Sequence, residues 1–138
     1  MHTGLAQYQN TQISTSNPEK ILVMLYDGAV KFTRIAIDRL AKGDIAAKGL
    51  YISKAQAIVA ELMNTLDHDA GGAMASRLEQ LYIYLINEYV TSNINNSVQP
   101  LENALGILTT LRDTWVEAAV IVKKERESDG TWQQARLG

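Results

Sequence analysis

The sequence predicts an all-α fold, an antiparallel up-down-up-down four-helix bundle with an N-terminal arm and a mobile C-terminal tail. Four segments place apolar side chains at three- and four-residue steps, the spacing that lines one side of an α-helix. Short polar or glycine-containing stretches separate them, and no stretch alternates apolar and polar residues as a strand would. We therefore expect an arm at 1–15, a bundle domain at 16–126 and a flexible tail at 127–138.

The first predicted helix follows an arm rich in Gln, Asn, Thr and Ser, and it begins near residue 17. Asn17 is a candidate N-cap with Pro18 at the first helical position. Alternatively, Ser16 and Glu19 form a capping box. Either arrangement starts a helix at the same place, and an apolar stripe then continues to Leu40.

The next two turns have recognisable signals. Gly43 suits a left-handed C-cap, and Asp44 can cap the second helix, predicted at about 45–66. The stretch 67–72 combines acids that favour caps with two glycines, so the chain should turn there. The third helix is then predicted at about 73–94, with Met74 on its inner stripe.

The fourth predicted helix runs to about residue 125. Ser97 is its candidate N-cap, and Pro100 lies in the first turn, where its missing N–H removes no intrahelical hydrogen bond. Beyond about 126 the apolar periodicity is lost, which predicts the tail.

Composition limits the function classes. With 138 residues, 46% of them apolar, the chain can bury a core as one domain without disulfides. It has no Cys, which excludes a thiol nucleophile or Cys-ligated zinc and suits a reducing cytosol. Thirteen basic and fifteen acidic residues give a net charge of -2, so we expect no nucleic-acid partner. No apolar run is long enough for a signal peptide or membrane insertion.

Candidate chemistry is sparse. No Glu-x-x-His pair occurs, so a di-iron bundle is not supported. The stretch 67–69 resembles half of a cation loop, but the Glu that a calcium loop needs twelve positions along is replaced by Leu78. No carboxylate falls on a predicted inner stripe, where burial would raise its pKa for proton transfer. We expect no enzyme activity, no metal and no cofactor.

An excess of apolar surface is the unusual feature, because the last three helices each show a second apolar row beside the inner one. The rows could widen the core, pair two copies of the chain, or form a groove for an apolar partner segment. In the third case the expected partner-binding residues are Ile52, Gln56, Val59, Met63, Ile83, Ile86, Val90 and Ile107.

Several strings, in this order and spacing, resemble the flagellar secretion chaperones of the FliS family, which bind flagellin. They are NPE at 17–19, MLYDGA at 24–29, SKA at 53–55, ELMNTLD at 61–67, LYIY at 81–84 and LRDTW at 111–115. The resemblance spans about residues 5–120. It implies a bacterial cytosolic bundle that binds the C-terminal segment of flagellin, prevents early filament assembly and escorts flagellin to the export gate.

In that family a Tyr near the N-terminus packs over part of the bundle, and Leu5 with Tyr8 is the matching pair here. We expect this pair to shield the groove until flagellin displaces it. We also expect the free chain to be a monomer or weak homodimer. The alternative is a self-associating structural bundle with no flagellin role.

Overall fold

The computed structural model describes residues 18–137, which form four α-helices and no strand. They are α1 (Pro18–Ala41), α2 (Ile45–Asn64), α3 (His68–Asn95) and α4 (Gln99–Leu137). Each helix packs against the next, and α4 returns to α1, which closes the four helices into a bundle. The predicted fold class is confirmed. The predicted arm, with Leu5, Tyr8 and the candidate caps Ser16 and Asn17, lies outside the described residues.

The first turn between helices uses the predicted residues. Gly43 adopts a φ of 74°, the left-handed region that favours glycine. Asp44 then caps α2, because its carboxylate accepts a hydrogen bond of 3.1 Å from the backbone N–H of Ala47. At the end of α3, Asn96 takes a left-handed φ of 52°.

Two boundaries differ from the prediction. The helix α3 begins at His68 and is interrupted at Gly72, whose φ of 51° and ψ of -125° are not helical. The longer part of α3 therefore starts at 73, as periodicity predicted, after one extra turn. Helix α4 continues to Leu137 rather than ending near 125. Residues 123–126 lack an apolar stripe but are Lys, Glu and Arg, which favour helix through propensity alone.

The core is built from one face of every helix and consists mainly of aliphatic and aromatic side chains. Its largest fully buried side chains are Leu25, Tyr26, Ile52, Ile58, Leu62, Tyr82, Leu85, Tyr89, Leu101 and Leu108, together with the polar Lys48. Met74, expected on the inner stripe, is instead 60% exposed, because Ala75 beside it occupies the buried face of α3 at this level.

Two hydrogen bonds between hydroxyl groups cross the core from α1 to α3. Tyr26 is bonded to Tyr82, and one heptad further along Thr33 is bonded to Tyr89 over 2.6 Å. Thr33 also donates to the carbonyl of Ala29, so its hydroxyl has two partners. Both bonds join residues 56 positions apart, which shows that α1 and α3 run parallel with a single register.

Burial keeps these phenols neutral. It raises the pKa of Tyr89 to about 12 and raises that of Tyr26 above its ordinary value. A neutral hydroxyl can both donate and accept, so each buried phenol can use its partner across the core. The two bonds therefore satisfy polar groups that would be costly to bury alone.

We expect Tyr89→Phe to lower the free energy of unfolding by about 1 kcal/mol, the usual net value of a buried neutral hydrogen bond. Tyr51→Phe is the matched control, because the Tyr51 ring packs on Phe32 while its hydroxyl has no hydrogen-bond partner among the described residues, so the change should cost less than about 0.5 kcal/mol. Urea unfolding at neutral pH measures both. Equal losses in the two variants would show that the Thr33–Tyr89 bond contributes nothing specific.

Candidate functional site

The side of α3 that faces α4 is closed by polar contacts. The side-chain amide of Asn103 donates to Glu88 across this seam over 2.9 Å. Gln99 donates in turn to Asn103, also over 2.9 Å. A partner that entered here would have to break this chain of hydrogen bonds, so the α3/α4 seam is a poor site for an apolar ligand.

The two seams of α1 are also tied by charged groups. Between α1 and α4, Asp27 pairs with Arg112, and Glu19 accepts from Arg126 over 3.1 Å. Between α1 and α2, the ammonium of Lys54 lies 5.5 Å from the ring centroid of Phe32, within cation–π range. Both seams therefore place charge at the surface.

The seam between α2 and α3 is different, because its charged contact lies at one end. There the buried Lys48 donates to the backbone carbonyl of Asn93 over 3.2 Å and to the side chain of Asn96 over 2.6 Å. A cation at the C-terminal end of α3 also complements the helix dipole. On the next residue, Gly49, a Cβ would lie 3.6 Å from the side chain of Asn93. These contacts set the antiparallel register of the two helices.

The register brings most of the predicted partner-binding residues to one place. Gly49 of α2 and Asn93 of α3 lie level with each other at one end of the seam. Both helices rise equally per residue, so each later residue of α2 lies level with a correspondingly earlier residue of α3. The levels that follow, moving away from Lys48, are Ile52 with Val90, Gln56 with Ile86, Val59 with Ile83, and Met63 with Glu79. We call the surface over the three levels from Ile52 to Val59 the α2/α3 groove; the level beyond them carries the charged Glu79, which pairs with His68.

The α3 wall of this groove is apolar and accessible. Ile83, Val90 and Ile94 are 38%, 43% and 74% exposed, and their seven- and four-residue spacing puts them on one face of α3. Ile86 packs beside them, half-buried against the core. Sequence reasoning missed Ile94, although its position one turn after Val90 was a sufficient signal.

The α2 wall is small and uncharged. Its outer positions include Gly49, Ser53 and Ala60. Lys54 is close to them in sequence, but its ammonium lies over the ring of Phe32 on α1. The only charged residue of α3 within 80–96 is Glu88, which bonds across the opposite seam. Small side chains let a partner backbone approach closely, and an uncharged surface carries no desolvation cost for an apolar ligand.

Two of the expected binding residues need correction. Ile52 and Val59 are fully buried, so they form the base of the groove as part of the core and not its accessible surface. Ile107 is half-buried on α4, away from the α2/α3 groove, and its part in partner binding stays a prediction. A second apolar row on a helix can face a neighbouring helix, and periodicity alone does not distinguish that from solvent.

A pocket of about 340 Å³ lies at the end of the bundle where α1 begins. We call it the end pocket, and its lining includes Leu22, Leu66, Met74, Leu78, Tyr82 and Trp115. The indole N–H of Trp115 donates to the hydroxyl of Tyr26 over 3.3 Å. Four of the sequence strings given above thus meet at this end, through Tyr26, Leu66, Tyr82 and Trp115.

The turn considered as a cation loop has other roles. The carboxylate of Asp67 caps α3 by accepting from the backbone N–H groups of Asp69 and Ala70. His68 pairs with Glu79 over 2.8 Å and so bridges the interruption at Gly72. Within residues 18–137 no three His, Asp or Glu side chains are placed to share a metal. In the same part of the chain, none of the helices combines the length and apolar character needed to cross a membrane.

A helical bundle whose distinctive surface is an open, uncharged apolar groove belongs to the proteins that work by binding other chains. The family model described as "Flagellar protein FliS" matches residues 1–122, and the chain belongs to this family. The resemblance found in the sequence is thereby confirmed.

Relatives carry the same description. The chain is 31% identical over 123 residues to the flagellar secretion chaperone FliS of Bacillus subtilis, covering 89% of this chain and 91% of that one. It is 34% identical over 118 residues to the same chaperone of Salmonella typhimurium, covering 82% and 87%. The family is one of flagellar secretion chaperones and not of enzymes, so the chain has a chaperone role in flagellar export.

We expect Lys48→Met to lower the free energy of unfolding by about 1 to 3 kcal/mol, because it removes charge-assisted hydrogen bonds at the end of α3. The matched control is Lys42→Met, which loses a surface ion pair of 3.1 Å with Asp38 and should cost less than about 1 kcal/mol. Chemical denaturation compares the two. If Lys48→Met were as mild as Lys42→Met, Lys48 would not set the register of the groove.

Proposed function

We propose that the chain is a cytosolic export chaperone that binds the disordered C-terminal segment of flagellin in the α2/α3 groove. Holding that segment prevents premature polymerisation, and the complex delivers flagellin to the flagellar export gate. The observation that supports this proposal is the uncharged apolar groove with Ile83, Val90 and Ile94 exposed along one wall. Membership of the flagellar secretion chaperone family points to the same cargo.

Affinity would come from burial of apolar surface. A disordered segment loses conformational entropy when it binds, and each Å² of apolar area removed from water returns about 25 cal/mol. An amphipathic segment lying along several turns of α3 supplies a large area. Gln56 is half-buried beside the groove and Asn87 is exposed on α3, so both could pair with backbone groups of the segment.

A second part of the proposal concerns the arm. We propose that Leu5 and Tyr8 shield the apolar surface of the free chaperone and that flagellin displaces them. Helix α1 begins at Pro18, and Leu22, one turn later, lines the end pocket. Tyr8 lies ten positions before Pro18, and a stretch of that length can span up to about 33 Å, which is enough to reach the end pocket or the nearer part of the groove.

We expect Val90→Asp to weaken binding of a peptide from the last 40 or so residues of the cognate flagellin by about tenfold or more, because a carboxylate would be desolvated against apolar groups. Wild type should bind one to one with a negative heat-capacity change in calorimetry. Val116→Asp is the matched control, since Val116 is 36% exposed on α4. It should bind normally.

Folding must be checked separately. Val90→Asp should keep its helicity, whereas Val59→Asp should unfold the bundle, because Val59 is fully buried. Normal binding by a folded Val90→Asp would place the cargo elsewhere. Absence of binding by the wild type, with a concentration-dependent dimer, would favour the self-associating bundle instead.

Deleting residues 1–12 tests the arm. If the arm competes with flagellin, its removal should raise peptide affinity or increase self-association, because the shielded surface becomes available. Calorimetry measures the first effect and analytical ultracentrifugation the second. The arm has no shielding role if affinity and monomer fraction both stay unchanged.

A further inference from the structure

The side of the bundle opposite the α2/α3 groove carries a polar pocket between α1 and α4. Its volume is about 280 Å³, and Asp27, Val30, Lys31, Arg34, Thr109 and Arg112 line it. Val30 is buried and forms the base, whereas the side chains around it are polar or charged. We call it the α1/α4 groove, and nothing in the chaperone role described above uses it.

The charged side chains of this groove differ in whether they already have an ion-pair partner. Arg112 is already held by Asp27 and by Asp113, at 3.1 Å from the latter. The hydrogen bond to Asp27 raises the pKa of Arg112 above its ordinary value, so the guanidinium stays charged. By contrast, Lys31 and Arg34 are exposed, and neither forms an ion pair with any side chain that the structure describes. They lie three positions apart and so share one face of α1.

The lining therefore holds three cations and one anion, whereas the whole chain has a net charge of -2. Local positive charge on a weakly acidic protein favours an anionic ligand at this place. The hydroxyl of Thr109 adds a donor beside the cations.

The charges around the groove favour an acidic peptide over a dense polyanion. Two uncommitted cations are too few for a dense polyanion, whose affinity grows with each phosphate that is neutralised. Asp27 and Asp113, which pair with Arg112, and Asp38, which pairs with Lys42, lie near the groove and would repel a ligand that carries charge at every position. Carboxylates spaced along a peptide can reach Lys31 and Arg34 while avoiding these acids.

We propose that the α1/α4 groove is a docking surface for an acidic segment of a second protein, which Lys31 and Arg34 recognise through its carboxylates. The groove lies across the bundle from the α2/α3 groove, because α1 and α4 are the two helices that do not form that seam. A partner docked here leaves the apolar groove accessible. The chaperone can then hold its cargo and the second protein together.

The test uses the full chain, labelled with ¹⁵N, and a short synthetic peptide rich in Glu and Asp. Its counterpart with Gln and Asn at those positions is the ligand control. We expect the acidic peptide alone to shift backbone amide signals within 27–34 and 109–113. Binding should weaken as ionic strength rises from about 0.05 to about 0.3 M, because exposed charges are screened.

Matched variants separate a specific groove from net charge. Lys31→Gln with Arg34→Gln should weaken binding by about fivefold or more, the effect of losing two exposed charge contacts. Arg77→Gln with Lys124→Gln removes the same charge elsewhere and should change binding by less than about twofold. Equal weakening by both pairs, or shifts confined to other residues, would overturn the proposal. So would inorganic phosphate shifting the groove signals when the acidic peptide does not.

A separate experiment uses the flagellin peptide. With that peptide at saturation, the acidic peptide should bind with unchanged affinity; its displacement would mean one shared site and would contradict two separate surfaces. If the flagellin peptide does not bind at all, the proposed cargo role fails while the acidic peptide still tests the α1/α4 groove by itself.

Discussion

The hydrogen bonds of Tyr26 with Tyr82 and of Thr33 with Tyr89 determine how α3 sits in the bundle. Apolar packing tolerates sliding and rotation of a helix, because one aliphatic contact resembles the next. Two buried hydroxyl pairs one heptad apart do not tolerate such movement, since a shift of either helix would leave polar groups unpaired in the core. The rotation of α3 then decides which of its faces meets α2, α4 and solvent.

That orientation gives α3 two unlike sides. Glu88 is directed to Asn103 on α4, where the pair closes one seam with a hydrogen bond. Ile83 and Val90 are left at the outer edge of the seam with α2. Lys48 then fixes the end of that seam by donating to the backbone carbonyl of Asn93 and to the side chain of Asn96. One helix thus supplies both a sealed polar seam and an accessible apolar wall.

The bundle as a whole separates its surface chemistry in the same way. Apolar, uncharged surface is concentrated along α2 and α3, while Asp27, Arg112 and their neighbours place the ion pairs of the α1/α4 seam on the far side. In the function proposed above, this separation matters because the two kinds of contact do not compete for one surface. Membership of the flagellar secretion chaperone family is the reason that flagellin is the proposed cargo, and the α2/α3 groove is its proposed site.

Periodicity, caps and turn residues were sufficient for the four helices, for Gly43 and Asp44, and for a change of direction within 67–72, because these depend on neighbours within a few positions. The same local signals identified the second apolar rows, but they could not tell that Val59 is core while Val90 is exposed. Nor could they find the bond of Tyr26 to Tyr82 or the burial of Lys48. Those outcomes depend on helix rotation and register, which side chains distant in sequence decide only when they pack together.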